Sequence, residues 1–247
     1  MHSPSLAENK RVEEKRIEDT HVDVLHELGR SIAATDGLHE VLVRVLDCTV
    51  DLVKCDSCFI YVLTGDELVL RASKNPHEDL VDRLKVRVGE GITGWVAEHL
   101  EPVSISRHAF KDARFRFFNE LPEDNYEAFL SVPLLSRGRV VGILNLQHRQ
   151  PHVYSQRQVR LISTIGFLVG AEVEMARLET ENSNLSQQLE TRKLVERAKG
   201  ILQRDLAISE EQAYLALQRQ SRQKRKPMKE IAEAIVLGDD IKSGSRI

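Results

Sequence analysis

No run of about 18 apolar residues occurs in the 247-residue chain, which excludes a bilayer-spanning helix. Nor do residues Met1 to Asp23 show the apolar stretch and small-residue cleavage site of a secretory signal, so a cytoplasmic protein is expected. Cysteine is scarce. Cys48, Cys55 and Cys58 are odd in number and close together, which is not a disulfide framework. The nine histidines are scattered without ligand spacing, and no nucleophile–base pair or paired carboxylates stand out, so neither a metal, a cofactor nor enzymatic activity is expected. Gly89-Glu90-Gly91 with Gly94 lacks the Lys-Ser or Lys-Thr that a phosphate loop needs, and reads instead as a turn before a helix. Aromatic residues make up only 5%.

What is present is 41% hydrophobic and 30% charged residues, enough for a packed core in one large domain or two smaller ones, with much exposed helix. The net charge of −3 conceals an asymmetry. Thr191 to Ile247 holds 13 Lys plus Arg against 8 Asp plus Glu, leaving an acidic body with a basic C-terminal piece. That distribution points to an anionic partner at this end, nucleic acid first among them.

The apolar pattern is helical from Glu8 to about Val53, broken at Asp36-Gly37. Short β-branched and aromatic runs follow at 57–63 and 67–72, with Thr64-Gly65-Asp66 between them as a hairpin turn. Further strands are expected at 84–88, 102–106, 129–135 and 139–147, and a short helix at 92–97. The result is an α+β domain with an antiparallel sheet flanked by helices. Cys55-x-x-Cys58 is the spacing of a redox pair or of half a metal site. At the start of a strand, however, residues three apart point to opposite faces, so one cysteine is expected in the core and the other half-exposed, both as structural filler.

From Ser155 the pattern is helical over a long stretch. Leu161, Leu168, Met175, Asn182 and Leu189 repeat every seven residues, with Thr164, Ala171, Leu178 and Leu185 three positions on. These are the a and d positions of a coiled coil, and Asn182 at an a position favours a parallel pair in fixed register. The segment from Leu161 to Met175 fits either dimerisation or packing on the sheet, whereas Met175, Leu178, Asn182, Leu185 and Leu189 are assigned to a homodimer. At Arg192 the phase changes, and Leu194, Val195, Ala198, Ile201 and Leu202 take over as the apolar set. Ser209 and Gln212 have the spacing of a capping box, and Pro227 opens a last helix that is expected to end near Gly238. Three short helices would form a minimal bundle.

Val88-Gly89-Glu90-Gly91-Ile92-Thr93-Gly94-Trp95-Val96-Ala97, followed by Ser131-Val132-Pro133-Leu134-Leu135 and Val140-Val141-Gly142-Ile143-Leu144-Asn145-Leu146, resembles a GAF domain over roughly residues 21–177. Ala198-Lys199-Gly200-Ile201-Leu202, Ser209-Glu210-Glu211-Gln212-Ala213-Tyr214, Leu217, Ser221, Ile231-Ala232 and Ile235-Val236 resemble an ANTAR domain. Gln220 stands where that family often has a small residue, and Arg222 to Lys226 is more basic than usual. The resemblance implies a GAF sheet with a ligand pocket on one face and dimerising helices on the other. It also implies an RNA-binding three-helix bundle that holds paired hairpins of nascent leader RNA and so prevents a terminator from forming.

The expected division is an N-terminal extension at 1–20, a GAF sensor at 21–172, a coiled coil at 173–191, an ANTAR bundle at 192–240 and a disordered tail at 241–247. RNA contacts are expected from Arg192, Arg197, Lys199, Gly200, Arg219, Arg222, Arg225 and Lys226; phosphate neutralisation and arginine stacking on splayed bases supply the physical reason. Gly200 costs a helix about 1 kcal/mol against alanine, which calls for tight helix packing, RNA approach or both. Phe59, Tyr61 and Trp95 either line the GAF pocket or simply fill the core, and 107–125, with Phe110, Phe115, Phe117 and Phe118, is a possible lid. The function expected is transcription antitermination by an RNA-binding homodimer under the control of an unidentified small molecule, with no membrane partner. The alternative is a GAF-based redox sensor or enzyme whose C-terminal helices serve only assembly.

Overall fold

A computed structural model describes residues 22–34, 37–74, 78–115 and 126–244. The chain divides into two compact units, Met1–Arg177 and Leu178–Ile247. Asp36, Phe117, Phe118 and the whole of the expected N-terminal extension lie outside the described residues.

In the first unit, α1 (residues 22–33) and α2 (Leu38–Val53) precede a hairpin of β1 (Ser57–Thr64) and β2 (Glu67–Lys74). Next come β3 (Lys85–Arg87), α3 (Gly91–His99), β4 (Val103–Ile105), and a second hairpin of β5 (Ala128–Ser136) and β6 (Arg139–His148). The sheet is antiparallel throughout, in the order β3-β2-β1-β6-β5-β4.

Period-two alternation sorts the strand residues to two faces. Ile60, Leu130, Val132, Leu134, Leu144 and Leu146 join Val41, Leu42, Val45 and Leu46 of α2 in one apolar cluster. Phe59, Tyr61, Leu68, Leu70, Phe129 and Ile143 face the other way, against Ile92, Val96 and Ala97 of α3.

A helix of 51 residues, α4 (Gln156–Leu206), begins at a capping box: the Gln158 amide donates to Ser155 Oγ at 3.2 Å, and the Ser155 amide to Gln158 Oε1 at 2.9 Å. Its face toward the sheet is Ile162, Ile165, Val169 and Val173, which are buried in the α2 cluster. Gly166 and Gly170 lie on that same face. A Cβ on Gly170 would stand 2.5 Å from the Leu135 carbonyl oxygen, and one on Gly166 2.9 Å from that of Pro133. Helix and strand backbones therefore meet without an intervening side chain.

In the second unit, the C-terminal part of α4 packs with α5 (Glu210–Lys224) and α6 (Met228–Gly244) around Ala198, Ile201, Leu217, Ile231, Ala232 and Val236. The capping box at Ser209 forms as expected, with the Gln212 amide 3.2 Å from Ser209 Oγ and the Ser209 amide 3.0 Å from Gln212 Oε1. The last helix does not stop near Gly238 but runs to Gly244, taking in part of the expected tail. One glycine costs a helix only about 1 kcal/mol. Just beyond it, Asp239 and Asp240 are held by Arg204 and Arg197 of α4.

Candidate nucleic-acid interface

The cations of the second unit fall into two sets. Arg197 pairs with Asp240, Arg204 with Asp205 and Asp239, Lys226 with Glu230, and Lys229 with Glu233. Arg192, Lys193, Arg219, Arg222, Lys224 and Arg225, by contrast, have no ion pair among the described residues. On α5, Leu215, Arg219 and Arg222 are exposed and lie opposite the buried Ala213 and Leu217, as a 3.6-residue period requires. Arg225 follows at the C-cap in a left-handed conformation, with φ 52°. Uncompensated positive charge thus lines the outer side of α5 and the turn into α6. The C-terminal end of the helix dipole favours Arg222 and Lys224 there, but one helix end does not account for four cations left without carboxylates.

Lys199 occupies a different environment. Its side chain is 9% exposed, and its ammonium donates to Glu196 at 2.9 Å and to Glu210 at 2.6 Å. The hydrogen bond to Glu210, then the one to Glu196, holds the Lys199 ammonium above its ordinary value, and Lys199 in turn holds Glu210 below its own. Lys199 is therefore a clamp between α4 and the start of α5, already engaged on both sides.

Gly200 beside it is exposed, and a Cβ there would meet nothing within 4 Å. Tight helix packing, one of the two reasons expected for this glycine, is not what keeps it; the small neighbour that packs is Ala198, which is fully buried.

Beyond Leu161 the leucine and methionine residues at the a and d positions of α4 are exposed. Leu161 is buried, yet Leu168 is 37% exposed, Met175 53%, Leu178 42%, Leu185 54% and Leu189 59%, so this stripe is not the core face. Asn182 lies among them, accepting from the Ser186 hydroxyl at 3.4 Å.

On the α3 side of the sheet, Phe59 and Tyr61 are both 2% exposed, with ring centroids 6.3 Å apart. Trp95 is half-buried; its ring stacks on His99 at 4.0 Å, and the Arg114 guanidinium lies 4.8 Å above it. Asp112 grips Arg114 at 2.9 Å through both carboxylate oxygens, which holds its carboxyl below the usual range. The start of the expected lid is thereby fastened to α3. A buried polar chain joins β5, β6 and α3: Ser131 Oγ donates to Asn145 Oδ1 at 2.7 Å, and Asn145 Nδ2 donates to Thr93 Oγ1 at 2.8 Å.

The GAF domain family profile matches residues 35–174 and the ANTAR domain profile residues 183–236. The chain belongs to the GAF domain family and carries an ANTAR domain. Over 76 residues it is 43% identical to the transcriptional regulatory protein PdtaR of Mycobacterium tuberculosis, a match covering 31% of this chain and 37% of that protein. The chain thus spans little more than a third of that relative's length. Among solved structures, the GAF domain of an Acinetobacter phosphoenolpyruvate-protein phosphotransferase aligns with a TM-score of 0.60 at 25% identity, covering 64% of this chain and 95% of that one. The free methionine-R-sulfoxide reductase of Neisseria meningitidis aligns with a TM-score of 0.55 at 16% identity, covering 64% of this chain and 91% of that one, and shares the fold.

In the ANTAR domain, then, the expected contact residues divide. Arg192, Arg219, Arg222 and Arg225 have no ion pair among the described residues, Gly200 is open surface, Arg197 and Lys226 are in exposed ion pairs, and Lys199 is in the clamp. Exposed pairs are worth little and yield readily to a phosphate. Lys193 and Lys224, which the sequence places on the same basic surface without assigning them as contacts, are exposed. So is Tyr214, 42% exposed on the first turns of α5, which the sequence does not assign as a contact. In the GAF domain, sequence reasoning passed over the Ser131–Asn145–Thr93 chain. Its signal was two polar residues inside apolar strands, directly opposite each other in the β5–β6 register.

Proposed function

We propose that the protein is an antitermination regulator whose ANTAR bundle binds paired hairpins of nascent leader RNA, under the control of a small molecule at its GAF domain. The observation that carries this reading is the set of uncompensated cations on α5 and its C-terminal turn, in a unit where six of the eight other described cations have carboxylates. A phosphate backbone neutralised by such a set releases its counterions, which supplies affinity without specificity. Specificity then comes from loop bases stacking on Arg222, Arg225 or the exposed Tyr214, and from close approach of the RNA backbone at Gly200. PdtaR, a transcriptional regulatory protein, is the relative that supports a role in transcription.

On this reading the protein works as a parallel homodimer in the cytoplasm. The exposed stripe of Met175, Leu178, Leu185 and Leu189 cannot stay dry on a single helix, and a second copy covers it, with Asn182 fixing the register. Two ANTAR domains then meet two hairpins.

The test is binding of the full-length protein to a synthetic two-hairpin leader RNA across a salt series. Four phosphate contacts per subunit give a slope of log K against log salt of roughly −3 per subunit. Binding that is absent, or flat with salt, refutes the RNA reading and leaves the C-terminal helices as an assembly module.

A further inference from the structure

The Cys55-x-x-Cys58 motif departs from the sequence expectation that its two side chains point to opposite faces. Cys55 is not in the strand. Helix α2 ends at Val53, Lys54 turns through a left-handed conformation (φ 54°), the chain bends at Asp56, and β1 begins at Ser57. The alternation rule therefore does not apply across the motif, and the bend returns both side chains to one cluster. Cys55 is 7% exposed, Cys58 is fully buried, and both belong to the one apolar cluster beneath α2 and α4.

The bend between them is held in place. The Asp56 amide donates to the Gln147 carbonyl at 3.0 Å, and the Asp56 carboxylate accepts the Arg149 amide at 2.8 Å. Two thiols separated by two residues, buried in the same cluster on a turn pinned to β6, are placed as neighbours, as a disulfide between them requires. Their roles also differ. The hydrogen bond from Cys58 holds the Cys55 thiol below its ordinary value, while burial pushes the Cys58 thiol well up. Cys55 is thus the more readily ionised sulfur and the more exposed, the position of an attacking thiol, and Cys58 that of a resolving one. Cys48 is in another place, half-buried on α2 at a groove of about 410 Å³ beside Glu27 and Asp51, where burial raises its thiol.

We propose that Cys55 and Cys58 are a reversible dithiol–disulfide pair, a modification site that takes hydrogen peroxide as oxidant. The Cys55 thiolate attacks one peroxide oxygen and the O–O bond breaks. The departing hydroxide takes up a proton as water and leaves a sulfenic acid on Cys55. The Cys58 sulfur, giving up its proton, then attacks the Cys55 sulfur; the S–O bond breaks, and the hydroxide leaves with that proton as a second water. Two thiols and one peroxide become one disulfide and two waters, and two equivalents of a low-molecular-weight thiol restore the pair. The bond closes inside the cluster that also holds Ile162, Ile165 and Val169 of α4, so oxidation acts on the packing of that helix against the sheet.

Full-length protein carrying Cys48→Ser is exposed to hydrogen peroxide, alkylated, denatured and mapped by peptide mass spectrometry. The expected product is a Cys55–Cys58 peptide lighter by two hydrogens, formed within one chain and reversed by dithiothreitol. In Cys58→Ser the same treatment stalls at a Cys55 sulfenic acid that dimedone captures. Two outcomes in the Cys48→Ser protein overturn the proposal, whether or not Cys58→Ser folds: both thiols alkylate fully after a peroxide dose that oxidises a free cysteine peptide, or Cys55 proceeds to sulfinic acid with Cys58 still reduced. Neither outcome bears on RNA binding, so the two proposals fail separately.

Discussion

Replacing Gly200 by alanine separates what the glycine costs the fold from what it contributes at the surface. The residue lies within α4 with helical backbone, and a methyl group built on it meets nothing within 4 Å. No steric penalty therefore offsets the propensity gain, which for Gly to Ala inside a helix is about 1 kcal/mol. That amount changes an opening equilibrium about fivefold. Gly200→Ala should slow native-state hydrogen exchange about fivefold at buried amides of the α4–α6 bundle, read in the full-length protein. If RNA approaches the backbone here, the added methyl occupies that contact, and affinity for the two-hairpin RNA should fall about tenfold, or about 1.4 kcal/mol. A more stable bundle that binds less tightly is the expected pair of results. Stabilisation with unchanged binding would refute RNA approach at this position, and no stabilisation would refute the claim that Gly200 borders open space.

Arg222→Ala, which removes an unpaired side chain, should weaken RNA binding without changing bundle stability and lower the salt slope by about 1; an unchanged slope would take Arg222 out of the phosphate contacts. Leu185→Asp places a charge on the exposed α4 stripe and should convert a dimer to monomers in sedimentation, while leaving the sheet's exchange protection intact; an undisturbed dimer would locate the interface elsewhere. Asn145→Ala strands two buried hydroxyls, Ser131 Oγ and Thr93 Oγ1, and should cost about 2–4 kcal/mol in denaturant unfolding of the first unit. Glu210→Gln tests the clamp by pH. Because Lys199 lowers the folded-state value of Glu210, the stability it adds is complete above the ordinary glutamate value and is lost as pH falls through the lower one. The bundle of wild type should therefore exceed that of the variant near neutral pH, and the difference should vanish in acid; a constant difference would show that the pair does not titrate as a clamp.

Where local periodicity decides structure, the sequence was a sufficient guide. The two hairpins, the short helix that carries Trp95 and the Ser209–Gln212 cap each depend on residues within a few positions of one another. Side-chain partners over longer distances were not legible in the same way. Glu196, three residues before Lys199 on the same helix, is a partner that spacing alone suggests. Lys199 nonetheless looked like a surface cation because its second partner, Glu210, is eleven residues away, across a turn whose direction no propensity specifies. Cys55 and Cys58 were assigned by an alternation rule that presumes a strand, and a single left-handed residue, Lys54, with the bend that follows, removes that premise. Gly166 and Gly170 are spaced for close packing. What they pack on, the backbone of β5, emerges only when the strand order is known.

Those two glycines also bear on how a signal could use α4. With side chains between them, a helix and a sheet have slack, and a small shift is absorbed by rotamers. At Gly166 and Gly170 the backbones meet directly, so any rearrangement of β5 against α4 must move the helix itself. The helix carries its apolar residues on two faces, one buried by this contact and one, from Leu168 to Leu189, exposed. On the proposed reading, a ligand between α3 and the sheet, or a bond between Cys55 and Cys58 beneath α4, has this contact as a route to the dimer stripe. Neither would shift the equilibrium by being tightly bound or readily formed; each must favour one packing of α4 over the other, and only that difference in free energy reaches the ANTAR domains.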